Sequence, residues 1–245
     1  MPAIFAHRGA NKSSCANKNL PENTMAAFAA AIEVGADGIE LDVQLTRDGR
    51  IVVCHDETVD RVSDGHGLVA DHTFEELARL NFAATFSDQE PARIPLLDDV
   101  LALLAPTELS LNIELKNSVI RYDQLEERVV DAVNAHQMAD RTVLSSFNHR
   151  SLVHLAQIAP GIRRGVLYSN DLADPWDYAA RIGVQAVHPS GLLLRERDDV
   201  GRFHAAGLSV RVWTLDEPDQ IREAAGLGVD AVITNDPAGA RAALA

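Results

Sequence analysis

GIELDVQLTRDGRIVVCHD, residues 38–56, is the stretch from which the rest of the chain can be read. Ile39, Leu41, Val43 and Leu45 alternate with Glu40, Asp42 and Gln44, the period-two signature of a strand, so both carboxylates share one face. ThrArgAspGlyArg at 46–50 predicts a tight turn, and Ile51 to His55 a second strand paired with the first as a hairpin. Within that second strand Cys54 points away from His55 and reads as a small core residue.

Outward from this stretch, short apolar runs alternate with segments of helical period. Strands are predicted over 3–7, 38–44, 109–116, 142–147, 165–168, 186–189, 210–214 and 231–235. Helices are predicted over 23–34, 97–104, 122–136, 150–158, 176–182, 196–206 and 218–227, with a last one after Pro237. Several stop at Gly35, Gly183, Gly207 or Gly228, where a left-handed cap suits a residue without Cβ. Eight strand-helix units predict an α/β fold of the closed (β/α)8 TIM-barrel kind, forming one domain over residues 1–245. No glycine-rich nucleotide fingerprint argues for an open doubly wound sheet. Residues 56–95 break the alternation: the segment is polar and glycine-containing, with PheGluGluLeu at 74–77 its one good helical turn. It predicts a small insertion after the second barrel strand, a cap with too few apolar residues for a core of its own.

A chain of 245 residues with 47% hydrophobic content has ample material for one large core. No run of about 18 apolar residues could span a bilayer, and the first residues lack a secretory pattern, so stable membrane insertion is not expected. With only Cys15 and Cys54 there is no disulfide framework, and a reducing, cytoplasmic setting is the default. A net charge of −14 argues against a nucleic-acid partner, and any anionic ligand must be held by local cations or a metal. Oligomeric state is not legible.

In such barrels active sites form where strands end. Here strands end in His7 and Arg8, Glu40 and Asp42, Glu114 and Lys116, Ser145, Tyr168, His188, Trp213 and Asn235. In LeuAsnIleGluLeuLys, 111–116, Asn112, Glu114 and Lys116 share a face, so two strands point Glu40, Asp42 and Glu114 inward. Three inward carboxylates repel one another, and two readings are open. One is an all-oxygen site for a hard divalent cation, Mg2+ or Ca2+; the other is a structural ion-pair network with Arg8 and Lys116. His7 and His55 close strands at the same rim, and two histidines there can supply a general base and a general acid. Arg8 offers a planar donor fork to a phosphate. Glu22 reads equally as a helix cap or a site residue, and Trp213 as an apolar wall for a substrate or as barrel packing.

These motifs also carry a resemblance. HisArgGly at 7–9, ProGluAsnThr at 21–24, GluLeuAspValGlnLeuThrArgAspGly at 40–49, HisAsp at 55–56, GluLeuLys at 114–116 and TrpThr at 213–214 resemble the motif series of the glycerophosphodiester phosphodiesterases. The likeness continues through 94–100 and 228–237, essentially from end to end. It implies a (β/α)8 barrel with an insertion after the second strand. It also implies hydrolysis of a small-molecule glycerophosphodiester to glycerol 3-phosphate and an alcohol. On the same resemblance, Glu40, Asp42 and Glu114 hold one divalent cation, Arg8 and Lys116 bind the phosphate, and His7 and His55 share acid and base roles. Trp213 would wall the substrate.

Rival readings are weighed by residues. Metal-dependent hydrolases on this barrel want a His-x-His pair on the first strand, but Arg8 and Gly9 follow His7. A lysophospholipase D would need a broad apolar groove near the rim, to which Phe82 and Phe86 could contribute. A binding protein without turnover would have no use for both histidines. Lys12 and Lys18, in the polar stretch after HisArgGly, form either a basic lid or a solvated loop.

Overall fold

The structure, a computed structural model, describes residues 1–12, 19–194 and 197–245. In chain order its strands are β1 (Ala3–His7), β2 (Gly38–Leu45), β3 (Ile51–Val53), β4 (Ser110–Leu115), β5 (Thr142–Ser146), β6 (Arg163–Tyr168), β7 (Ala186–Pro189), β8 (Ser209–Val212) and β9 (Ala231–Thr234). All but β3 are parallel, each pairs with the next, and β1 pairs with both β9 and β2, so the ring closes. The α-helices are α1 (Met25–Glu33), α2 (Phe74–Leu77), α3 (Leu97–Leu104), α4 (Leu125–Ala135), α5 (His149–Ile158), α6 (Pro175–Ile182), α7 (Arg197–Ala205), α8 (Pro218–Leu227) and α9 (Pro237–Leu244). This is the closed (β/α)8 barrel that the alternation predicts.

Where boundaries differ from expectation, a local conformation explains it. Helix α1 begins at Met25, two residues late, because Asn23 is left-handed (φ 53°) and the Thr24 hydroxyl caps the helix by accepting from the Ala27 amide. Helix α4 begins at Leu125 because Gln124 is left-handed (φ 64°). Strand β3 stops at Val53, short of His55. Beyond it the Gln44 side-chain amide donates to the carbonyls of Cys54, His55 and Asp56 at 2.9, 3.3 and 2.6 Å, which bends the chain out of the ladder. Glu196, the first residue of one predicted helix, lies outside the described residues, as do Cys15 and Lys18.

The main core lies between barrel and helices. The odd-numbered residues of β2, Ile39, Leu41 and Val43, are fully buried there against helix residues such as Phe28 and Leu101. Each such side chain contributes about 1.5–3 kcal/mol by leaving water. Inside the barrel a smaller cluster of Phe5, Ala231 and Ile233 forms the floor. Gly38 makes room for it: a Cβ there would lie 2.4 Å from the Phe5 ring.

The segment after β3 departs from expectation in one respect. Val59, Val69, Leu77, Phe82 and Ile94 bury themselves against Val52 and Cys54, forming a small satellite core. Strand β3 lends this segment its outer face, so the cluster is shared between the two. Among the described residues no helix is long and apolar enough to cross a membrane.

Candidate active site

The turn from β1 to α1 is the first thing that shapes the rim. Arg8 and Gly9 are both left-handed, at φ 57° and 83°. A Cβ on Gly9 would lie 2.7 Å from the Ala27 backbone, so this close approach of α1 requires glycine. The Arg8 amide meets Glu40 twice, donating to its carbonyl at 2.9 Å and to its side-chain Oε2 at 3.1 Å. The turn folds the Arg8 side chain inward, with Nε 3.5 Å from Asp42 Oδ2 and a terminal nitrogen 2.9 Å from Glu22 Oε1.

Beside it stand the carboxylates. Asp42 and Glu114 are direct partners across β2 and β4, one pleat above the Glu40–Asn112 pair. Glu40, Asp42 and Glu114 are all buried, and each offers an oxygen within 4.8 Å of the others. Lys116 Nζ lies 2.9 Å from Glu114 Oε1 and 3.9 Å from Asp42 Oδ1, and the Asn23 amide donates to Asp42 at 2.9 Å. Both readings of this cluster therefore have a geometric basis, because ion pairs are present but do not balance. Three carboxylates face two cations, and Arg8 is shared with Glu22.

The imbalance shows in protonation. Burial and the charges of Asp42 and Glu114 push Glu40 well above the ordinary carboxylate range. Glu114 rises through burial and through Asp42. Asp42 is also opposed by burial, but Arg8, Lys116 and the Asn23 bond outweigh it and hold that carboxyl low. An all-oxygen donor set that must otherwise take up protons fits a hard divalent cation.

The two histidines reach the same cavity, a space of about 70 Å³ lined also by Arg8, Glu40, Glu114 and, on its apolar side, Phe147 and Trp213. A larger hollow of about 470 Å³ lies beside α8, but its lining among the described residues holds no histidine. His7 places Nδ1 2.8 Å from Asn235 Oδ1 and Nε2 4.0 Å from Glu40 Oε2. Asn235 is oriented by Asp216, which accepts from its Nδ2 at 2.8 Å, so its Oδ1 faces the ring and His7 donates from Nδ1. Burial, then the charge of Arg8, lowers His7 to about 4, leaving it neutral near pH 7 with an unprotonated Nε2. His55 turns Nδ1 to Asp56 Oδ1 at 2.6 Å. Asp56 is in turn gripped by Arg61. Partial burial opposes ionisation of Asp56, but the hydrogen bonds from Arg61 and His55 prevail and bring it to about 2.

The structure brings together all eight residues named from the sequence. His7, Arg8, Glu40, His55, Glu114 and Trp213 line the cavity, while Asp42 and Lys116 contact those that do. Trp213 meets Phe147 edge-on at 5.6 Å and donates from its indole nitrogen to the His188 carbonyl at 2.7 Å. Glu22 does not cap α1, since Thr24 does; it binds Arg8 and Arg61. His188, which ends a strand in the sequence, does not line the cavity. It is fully buried, and its ring fills the space left by Gly165, where a Cβ would lie 2.4 Å from Nε2. Lys12 is no lid over this cavity: its amine pairs with Asp216 at 3.0 Å and is largely exposed. Phe82 and Phe86 do line a separate hollow of about 380 Å³, together with Glu22 and Arg61.

Sequence reasoning gives no role to Asn23, Arg61 or Phe147, and places Asn235 at a strand end without assigning it one. Only for Asn235 was there a signal, a polar residue ending the last strand at the level of His7.

Buried acids, two histidines and an arginine around one small rim cavity suit an enzyme that works on a phosphodiester. Comparison with known proteins agrees. Residues 7–239 match the glycerophosphoryl diester phosphodiesterase family. The chain is 40% identical over 235 residues to a glycerophosphodiester phosphodiesterase of Caldanaerobacter subterraneus subsp. tengcongensis, covering 96% of this chain and 94% of that one. It is 40% identical over 243 residues to a glycerophosphodiester phosphodiesterase of Bacillus altitudinis, covering 97% and 96%. Among solved structures it superposes on a phosphodiesterase of Oleispira antarctica in complex with the product sn-glycerol-3-phosphate, with a TM-score of 0.88, 27% identity and coverage of 100% and 97%. A glycerophosphodiester phosphodiesterase of Agrobacterium tumefaciens gives 0.85, 32% identity and coverage of 99% and 100%. The chain belongs to the glycerophosphoryl diester phosphodiesterase family.

Proposed function

We propose that this protein hydrolyses glycerophosphodiesters to sn-glycerol 3-phosphate and an alcohol, using a divalent cation and two histidines of complementary role. The observation that carries this reading is the meeting of three buried carboxylates with His7 and His55 in one cavity.

Glu40, Asp42 and Glu114 would hold the cation, Mg2+ or Ca2+, which supplies Lewis-acid polarisation of a phosphoryl oxygen. Arg8 and Lys116, which stand beside the carboxylates, would counter the phosphate charge. His7, neutral and with Nε2 bare, is the base: it takes the proton of a glycerol hydroxyl as that oxygen attacks phosphorus. His55, steadied by Asp56, is the acid: it gives a proton to the alcohol oxygen as the second P–O bond breaks. The resulting cyclic phosphate is opened by water with the two histidines exchanging roles. Trp213 and Phe147 shield the glycerol carbons.

We further take residues 56–95 as an insertion in one barrel domain, because their apolar cluster is shared with Val52 and Cys54. The setting we infer is cytoplasmic, on cysteine usage alone. A second reading, a lysophospholipid substrate, is favoured only by the apolar hollow at Phe82 and Phe86.

The test is release of sn-glycerol 3-phosphate from glycerophosphocholine and glycerophosphoethanolamine, with Mg2+ or Ca2+ and again with excess chelator. Metal-dependent release supports the proposal. Release from a lysophospholipid alone would move the assignment to the second reading, and no release from any of them by folded, metal-loaded protein would overturn both.

A further inference from the structure

Arg61 lies outside the barrel, in the segment after β3, and touches neither the carboxylate cluster nor the cavity wall. Its guanidinium nevertheless joins both halves of the site. On one edge Nε and a terminal nitrogen donate to Asp56, at 2.6 and 3.2 Å. On the other, the two terminal nitrogens donate to Glu22, at 3.0 and 2.7 Å. Asp56 accepts from His55 Nδ1 at 2.6 Å, and Glu22 accepts from Arg8 at 2.9 Å. One side chain thus fixes the carboxylate that orients a histidine and the carboxylate that orients an arginine.

We infer that Arg61 is a positioning residue that sets His55 and Arg8 in register with each other; the inference rests on the catalytic reading of those two given above. A planar fork is needed, because the two carboxylates approach from different edges and a single ammonium cannot serve four hydrogen bonds in one plane. Without the fork, Asp56 and Glu22 repel across the gap. Asp56 then swings with the ring it holds, and Glu22 is left with Arg8 alone, drawing that guanidinium away from the phosphate. Arg61 is half exposed, with 49% of its side chain accessible, so its charge by itself is screened and the effect is one of geometry.

The experiment compares Arg61→Gln and Arg61→Lys with the wild type in metal-saturated steady-state kinetics on the glycerophosphodiester that the wild type turns over fastest, with Tm measured on each. Arg61→Gln is expected to lower kcat about tenfold or more and to raise KM severalfold, through His55 and Arg8 respectively, with the fold retained. Arg61→Lys, which keeps the charge, is expected not to restore kcat. Adding Asp56→Asn to Arg61→Gln is expected to lower kcat less than Asp56→Asn does alone, because both act through His55. A Gln variant with kcat and KM within twofold of wild type would overturn the inference, as would full rescue by lysine or additive effects in the double variant. Should Arg61→Gln not fold, the lysine variant and the cycle built on it decide by the same criteria. An inactive wild type would instead overturn the proposed function, and a wild type that is active and silenced by His55→Ala keeps the two failures apart.

Discussion

Asn235 Oδ1 stands 2.8 Å from His7 Nδ1, although the two residues are separated by 228 positions in the chain. Asp216 settles which way the amide faces, and the amide settles which ring nitrogen carries the proton. The bare nitrogen therefore faces Glu40 and the cavity. Asn235→Ala removes this selection and lets the ring adopt the other tautomer. The expected result is a fall in kcat of roughly 10- to 100-fold with KM changed little. Unchanged kcat in that variant would mean that His7 needs no tautomer control.

On the proposed mechanism, truncating either histidine removes a proton-transfer group, and neither side chain belongs to the hydrophobic core. His7→Ala and His55→Ala are each expected to lower kcat by about 100- to 10,000-fold, with far-ultraviolet circular dichroism unchanged. Activity near the wild-type level in either would take that residue out of the reaction.

On the proposed reading, metal and proton compete for the same carboxylates. Burial and mutual repulsion raise Glu40 and Glu114, so their protonation, above the ordinary carboxylate range, would displace the cation, and affinity would climb as pH rises. His7, depressed to about 4, stays unprotonated through that range. The acid limb of kcat/KM is thus expected to move to lower pH as Mg2+ or Ca2+ is raised, approaching about pH 4 at saturation. A limb fixed near 6.5 at every metal concentration would contradict both assignments.

Glu114→Gln removes one charge from the triad but keeps its volume. The metal concentration for half-maximal activity is expected to rise roughly 10-fold or more. An unchanged titration curve would place the cation elsewhere.

Gly9→Ala should act on stability and activity together. The new Cβ would press on the Ala27 backbone at 2.7 Å, in a left-handed residue. A loss of at least about 2 kcal/mol is expected in chemical denaturation. Because the same turn aims Arg8, KM is expected to rise in the fraction that remains folded. Wild-type stability would show that α1 can retreat from the turn.

Much of this architecture was legible because it is written in period and sign. Ile39 to Leu45 alternates so strictly that both the strand and its acidic face follow from spacing alone. His7, Glu114 and Lys116 could be placed because each ends or lines a strand. Residues whose roles depend on a meeting in space were not legible. Glu22 and Arg61 are 39 positions apart, with nothing local to link them. The left-handed conformations of Asn23 and Gln124 shorten two helices, yet neither residue type demands them. The satellite core escaped notice because Val59, Val69, Leu77, Phe82 and Ile94 follow no period and need β3 as their floor. Nor was the burial of His188 legible, since the sequence does not say how far a strand's last inward residue lies below the rim.

The first and last strands are neighbours in the ring, and the residue that selects the His7 tautomer follows directly on β9. Until those two strands zip together, His7 has no amide to face and its ring no fixed proton. On the proposed mechanism, full catalytic competence is therefore a property of the closed ring and of none of its arcs. In a refolding experiment full turnover should return only once β1 has joined β9, however early the helices and central strands assemble, so enzyme activity itself would serve as the clock for ring closure.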